Sequence, residues 1–243
     1  MEKTNAQRFI HAYNTIDQTL RCLYNFKRSM SFSDVIRRSV PVNYLVRKYE
    51  DKLVDYGRLR NAIIHKSNDE YIIAEPHSDV TIEFEHIANL IATPPKALEL
   101  LEKTEVVTTT HNTSLGDVIK LMEKTKFSNI PIYRDNELIG VASGKYIVEA
   151  IGNLLKSGAN IDKAIKSTTI EQVIEQNQPI YSYFEVAKAS ITVEEVLERF
   201  YRNHKLQIIL TTKNGTSKEQ PISIITSGDL IELNKVFEDY SIK

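Results

Sequence analysis

Between Ser114 and Ile147, and again between Thr192 and Leu230, the chain runs through the same series of elements. Ser114-Leu115-Gly116-Asp117 opens an apolar stripe of Leu115, Val118, Ile119 and Met122. Thr192-Val193-Glu194-Glu195 opens one of Val193, Val196, Leu197 and Phe200. Each is a Ser or Thr followed three residues later by an acid, ahead of apolar residues at i, i+3, i+4 and i+7, which predicts a capped helix burying one face. The first helix leads to Asn129–Tyr133, a turn at Asp135-Asn136 and Leu138–Ser143. The second leads to Leu206–Leu210, a turn near Asn214-Gly215 and Ile222–Thr226. Apolar runs bounded by turn residues predict a hairpin in both places. Helix, hairpin and helix, written twice, restrict this half to two copies of one unit stacked on a shared core.

The first 95 residues differ in character. Seven of the 8 glycines lie after Pro95, and Pro94-Pro95 disfavours helix at both Thr93 and Pro94, so a boundary is placed there. Upstream, Phe9, Tyr13, Ile16, Leu20 and Leu23 advance by three and four and predict an amphipathic helix. Val42, Leu45, Tyr49, Leu53 and Tyr56 predict a second helix after Pro41, with Ser33 capping a short one between them. Residues 58–66 and Ile82–Ile91 also read as helical, giving a bundle of four or five helices. The expected architecture is α+β, with an all-α domain over 1–95 and a repeated pair over 96–243, its copies at about 96–160 and 161–243. A length of 243 residues, at roughly 150 per domain, accommodates both.

No run approaches the roughly 18 apolar residues of a membrane helix, and the opening MEKTNAQRF has no apolar leader core. A cytoplasmic protein without a membrane partner is expected. Cys22 is the only cysteine, no cysteine–histidine cluster has zinc spacing, and glycine-rich phosphate loops are missing, so a nucleotide would be held another way and no metal is required. The net charge of −1 conceals +7 over residues 21–66 followed by −6 over 67–95. A protein coating polyanions with its whole surface is excluded, whereas a local phosphate site in the helical half is not.

The repeated half resembles a CBS-domain pair (βαββα, twice). Its second copy carries Ser223-Ile224-Ile225-Thr226-Ser227-Gly228-Asp229-Leu230, and its first Gly140-Val141-Ala142-Ser143-Gly144-Lys145-Tyr146-Ile147, with tyrosine in place of the aspartate. A hydroxyl at a strand end followed by the free N–H groups of a helix start suits a phosphate, and a carboxylate one turn later can accept from ribose hydroxyls. The resemblance implies that Thr226 and Asp229 hold phosphate and ribose, with Val107, Phe127, Ser128 and Pro131 around an adenine. It implies one competent site per chain, the mirror site lacking its carboxylate at Tyr146. The regulatory ligand would be AMP, ADP, ATP or a cyclic dinucleotide. Thr226 and Asp229 would equally serve an ordinary helix start as caps.

Within the helical half, Arg60-Asn61-Ala62-Ile63-Ile64-His65 resembles the signature of HEPN domains, small helical bundles that usually dimerise. The resemblance implies metal-independent RNA cleavage. His65 would be general acid/base, Arg60 a clamp on the phosphoryl oxygens, and Asn61, four residues before His65, an orienting group. Five residues advance about 500° around a helix, so Arg60 and His65 diverge, and Arg58, seven residues from His65, is an auxiliary clamp. A site shared across a homodimer would ease that divergence. The same residues could instead serve an inactive HEPN-like module or an unrelated bundle. The expected function is an adenine-nucleotide-sensing regulator whose CBS pair controls a dimeric HEPN-like domain that binds or cleaves RNA. The alternative is a non-enzymatic, nucleotide-gated dimerisation or protein-binding adaptor.

Overall fold

The computed structural model describes residues 3–65, 75–102, 105–176 and 183–237. In chain order these form α1 (Asn5–Tyr24), α2 (Phe32–Ser39), α3 (Tyr44–Lys48), α4 (Glu50–His65), α5 (Ser78–Ala92), α6 (Ala97–Leu100), β1 (Thr109–Thr110) and α7 (Leu115–Thr125). They continue through β2 (Asn129–Arg134), β3 (Glu137–Ser143), α8 (Gly144–Lys156), α9 (Ile161–Ser167), α10 (Ile170–Gln176) and β4 (Phe184–Lys188). The series ends with α11 (Val193–Arg202), β5 (Ile208–Thr212), β6 (Ser223–Thr226) and α12 (Leu230–Lys235). No helix among the described residues is long and apolar enough to cross a membrane. The elements gather into two compact units. One comprises Met1–Leu101, Thr192–Arg202 and Leu230–Lys243; the other comprises Glu102–Ile191 and Asn203–Asp229.

Among the described residues, the regular elements of the first unit are all helices. A capping box between Thr4 and Gln7 starts α1, whose predicted stripe buries Phe9, Ile16 and Leu20 completely. Phe9 packs in a triangle of rings with Phe84 on α5, centroids 4.6 Å apart, and Tyr56 on α4, 5.6 Å away in edge-to-face geometry. Two expectations need correction here. Ser31, not Ser33, caps α2, its hydroxyl accepting from the Asp34 N–H at 3.2 Å. The single helix expected over Val42–Tyr56 is divided at Tyr49 (φ −110°, ψ 17°), and its second part runs on through the 58–65 stretch as one helix. Asn43 gives the short α3 its own cap, accepting from Val46 N–H at 2.8 Å, while the Tyr49 hydroxyl donates to the carbonyl of Phe237 at 3.0 Å.

Helices α11 and α12 complete this unit. Glu198 of α11, almost wholly buried, accepts from Arg47 of α3 at 2.8 Å and from Arg202 at 2.6 Å, and Tyr44 donates its hydroxyl to Asn234 of α12 at 3.0 Å. Burial pushes the neighbouring Glu194 carboxyl above the usual glutamate range; the Tyr44 N–H that it accepts from opposes this, and Glu198 and Glu195 add to it. A carboxyl so raised binds its proton more readily folded than unfolded. Stability therefore rises as pH falls through the folded pKa, the gain being complete below the unfolded value of about 4.3. Glu194→Gln keeps the acceptor for Tyr44 and removes the charge. Its melting temperature should exceed that of the wild type at pH 7, with the difference vanishing toward pH 4 in paired thermal melts.

The second unit contains two three-stranded sheets of the same plan. In each, the first strand runs parallel to the middle one and the third antiparallel to it, in orders β1-β2-β3 and β4-β5-β6. Asp135 and Asn136 both take left-handed φ (47° and 66°), the geometry that a two-residue hairpin turn requires. Leu115 and Val118 of α7, Ile130 and Ile132 of β2, and Ile170 and Val173 of α10 share one core. A second cluster draws Tyr133, Leu138, Val141 and Tyr146 of the first copy against Tyr183, Ile208 and Leu210 of the second. Backbone bonds reinforce that contact, as where Leu138 N–H donates to Ser217 O at 2.8 Å.

The repeat reading did not anticipate α9 and α10. A Cβ on Gly140 would lie 2.9 Å from the Ile174 Cδ1 of α10, the movable end of a side chain. In the second copy the corresponding position holds Ser223.

Candidate functional site

A cavity of about 240 Å³ opens in the second unit, lined by Glu105, Val106, Val107, Lys126, Phe127, Ser128, Asn129, Ile224, Thr226 and Asp229. Five of the six residues expected around a nucleotide converge there from three separate stretches: Val107 before β1, Phe127 and Ser128 between α7 and β2, and Thr226 and Asp229 at the end of β6. Pro131 does not join them. It is buried within β2, paired with Val141, two residues farther along the strand than Asn129, which lines the cavity. Glu105, Val106, Lys126, Asn129 and Ile224 line the cavity without having been anticipated. Their only signal in the sequence is adjacency to the expected residues.

The local fold sets the groups at the mouth of the cavity. β6 ends at Thr226, and a single 3-10 turn, Ser227–Asp229, brings the carboxylate back over it. One oxygen, Asp229 Oδ2, accepts from both the N–H of Thr226 at 2.6 Å and its hydroxyl at 2.8 Å. The capping role foreseen for the pair is therefore present, and the other carboxylate oxygen has no donor among the described residues. Lys126 holds a left-handed φ of 63° at the end of α7 and pairs with Glu123 at 3.0 Å. Phe127 beside it stays 39% exposed, an aromatic face left in water at the cavity wall. Ser128 O accepts from Gly144 N–H at 2.8 Å, tying this wall to the start of α8.

Register places the mirror positions. Ser143 pairs with Asn129 in the first sheet as Thr226 pairs with Ile208 in the second, so the two strand ends correspond. Three residues on, where the second copy has Asp229, the first has Tyr146. Its ring packs against Tyr183 with centroids 5.0 Å apart, and the Tyr183 hydroxyl donates to Val141 O at 2.6 Å. Tyr146 is a core residue. Burial pushes Tyr183 up to about 12, so that this hydroxyl stays protonated and donates to Val141 O.

Residues 98–153 match the family model of the CBS domain. No curated protein matches the chain. Solved CBS structures resemble it at low identity. CBSX2 in complex with AMP is 17% identical, with a TM-score of 0.42 over 59% of this chain and 98% of that one. A putative signal-transduction protein with CBS domains from Burkholderia ambifaria is 16% identical, with a TM-score of 0.43 over 60% and 95%. The CBS domain of a bacterial CNNM/CorC family Mg2+ transporter in complex with ATP is 20% identical, with a TM-score of 0.42 over 62% and 93%.

In the helical unit, Arg58, Arg60, Asn61 and His65 occupy the last turns of α4. Arg60 and Asn61 are brought together, Nη1 donating to Asn61 Oδ1 at 3.3 Å. The Arg60 guanidinium lies over the Tyr13 ring, 4.8 Å from its centroid, and its Nε is buried without a hydrogen-bond partner. Arg58, exposed, pairs with Asp55 at 2.8 Å. His65 closes the helix, and its side chain lies outside the described residues. Among the other histidines, His86 has its protonation shifted by the fold. It is half-buried on α5, and burial holds its imidazole below the usual range, with Glu83 opposing.

Proposed function

We propose that the protein is a regulator in which the cavity of the second unit binds an adenine nucleotide and thereby biases an HEPN-like helical domain that binds or cleaves RNA. One observation supports the nucleotide half above the others: Val107, Phe127, Ser128, Thr226 and Asp229, distant in sequence, meet at one cavity. Its volume of about 240 Å³ falls below the roughly 300–1,000 Å³ of sites that enclose a drug-sized ligand, which suits one nucleoside with its first phosphate at the mouth beside Thr226. The base would lie on Phe127 and Val107 beside Ser128, and the free oxygen of Asp229 would accept from the ribose. The Thr226 hydroxyl would turn from Asp229 to the phosphate.

Thermal melts with AMP, ADP, ATP and a cyclic dinucleotide test this directly. At least one is expected to raise the melting temperature, and failure of all of them leaves Thr226 and Asp229 as helix caps alone.

For the helical half, Arg60, Asn61 and His65 would act on RNA without a metal, His65 exchanging the proton of a ribose 2′-OH and Arg60, assisted by Arg58, neutralising the phosphate. A dimer by light scattering and metal-free cutting of mixed RNA by the wild type but not by His65→Ala are the expected results. Equal cutting by both proteins means a contaminant. The packing of Arg60 on Tyr13 favours a second reading, a non-enzymatic adaptor in which this arginine is structural and the nucleotide gates dimerisation or protein binding.

A further inference from the structure

Lys126 stands where the backbone asks for a different residue. It follows the last turn of α7 with φ 63° and ψ 14°, its N–H donating to Met122 O, and at such a left-handed helix end glycine is at ease while a side chain is carried at a cost. Its own helix offers the ammonium little in return. It pairs with Glu123, three residues back, but both side chains are about three-quarters exposed and water screens the pair. Among the described residues that line the cavity, however, Lys126 is the one cation, set against the carboxylates of Glu105 and Asp229. Taken as a cube, about 240 Å³ is a space about 6 Å on a side, less than the Debye length of roughly 8 Å at physiological salt, so a ligand inside feels all three charges.

We infer that Lys126 is the phosphate-holding cation of the cavity and that the site recognises one phosphate, taking a nucleoside monophosphate in preference to a triphosphate. The ammonium leaves Glu123 and meets a phosphate oxygen at the mouth, where the turned Thr226 hydroxyl brings a second donor. A lysine suits this, being a point charge on a flexible four-carbon stem. A phosphate monoester carries about −1.5 to −2 at neutral pH, which one ammonium largely answers. Further phosphates find no second cation on the wall and bring more negative charge toward Glu105 and Asp229, so lengthening the chain adds no affinity. The inference rests on the nucleotide reading of the cavity and adds to it the residue that holds the phosphate and the number of phosphates held.

Calorimetric titration with adenosine, AMP and ATP, in EDTA so that ATP carries no metal, tests both levels. The wild type should bind AMP roughly tenfold tighter than adenosine, and ATP no tighter than AMP. Lys126→Gln should bind AMP only as well as adenosine, with adenosine itself unchanged. Lys126→Gly should show the same loss while its ligand-free melting temperature rises above that of the wild type, because glycine accepts the left-handed φ. A variant that had merely lost its fold would melt lower. Glu105→Gln, which removes one of the two opposing charges, should improve ATP more than AMP. If AMP affinity survives in both Lys126 variants, the phosphate is held elsewhere and the cavity remains a nucleotide site. Tighter binding of ATP than of AMP by the wild type overturns the single-phosphate selection. Binding of none of the three ligands to the wild type overturns the nucleotide reading itself.

Discussion

Asp229→Ala is expected to abolish the thermal stabilisation that an adenine nucleotide confers. A ligand present at 100 times its Kd stabilises a protein by about 2.7 kcal/mol, and in a chain of this size each kcal/mol moves the melting temperature by roughly 2–4 °C, so the effect to be lost is large. The same substitution also frees both donors of Thr226, which Asp229 Oδ2 now satisfies at 2.6 and 2.8 Å. Loss of a cap costs about 1 kcal/mol, so the unliganded variant should melt slightly earlier. Asp229→Asn separates the two effects. Its amide oxygen can still hold Thr226, which predicts an unliganded melt near that of the wild type, while the missing charge weakens acceptance from ribose and reduces the ligand-induced shift. A full shift in Asp229→Ala would sink the ribose role and leave a cap.

Glu198→Ala should destabilise the helical unit by about 3 kcal/mol in urea denaturation. Its side chain is 9% exposed and that of Arg47 19%, and removing the carboxylate leaves the arginine without its counter-ion, held by the Val40 carbonyl and the Tyr201 ring. Part of the loss is returned, since Glu194 is freed of a like-charged neighbour. Arg202→Ala removes the other partner of Glu198, but this arginine is 55% exposed and screened by water. A loss under about 1 kcal/mol is expected. Equal effects of the two substitutions would show that burial does not govern the network.

The pattern of what the sequence discloses follows from range. The stripe Phe9–Ile16–Leu20 and the caps at Ser114 and Thr192 are local, and the structure reproduces them. The break at Tyr49 is not local. Leu45, Tyr49 and Leu53 keep perfect helical phase, and what holds the interruption includes the bond from the Tyr49 hydroxyl to Phe237, far along the chain. The α9–α10 pair was missed although Asn160 caps the first of them, because the repeat has no counterpart to suggest it. Thr226 and Asp229 line the cavity, as the resemblance of their segment to a CBS-domain pair implied. Asn129 was not foreseen there, because an asparagine at a strand entry reads as a turn residue. The RNA-directed role of Arg60 stays a proposal drawn from its motif, and the structure adds that its guanidinium is already stacked.

Helices α11 and α12 belong to the unit that also holds residues 1–101, although each is flanked in the chain by segments of the other unit or follows one directly. The chain thus passes between its units four times. No single cut yields both parts intact, since a fragment ending at Pro95 would lack Glu198, Asn234 and Phe237, the partners of Arg47, Tyr44 and Tyr49. The repeat pair is therefore not a cassette that could be exchanged for the sensor of another protein, because any replacement would have to bring two helices able to finish a foreign bundle.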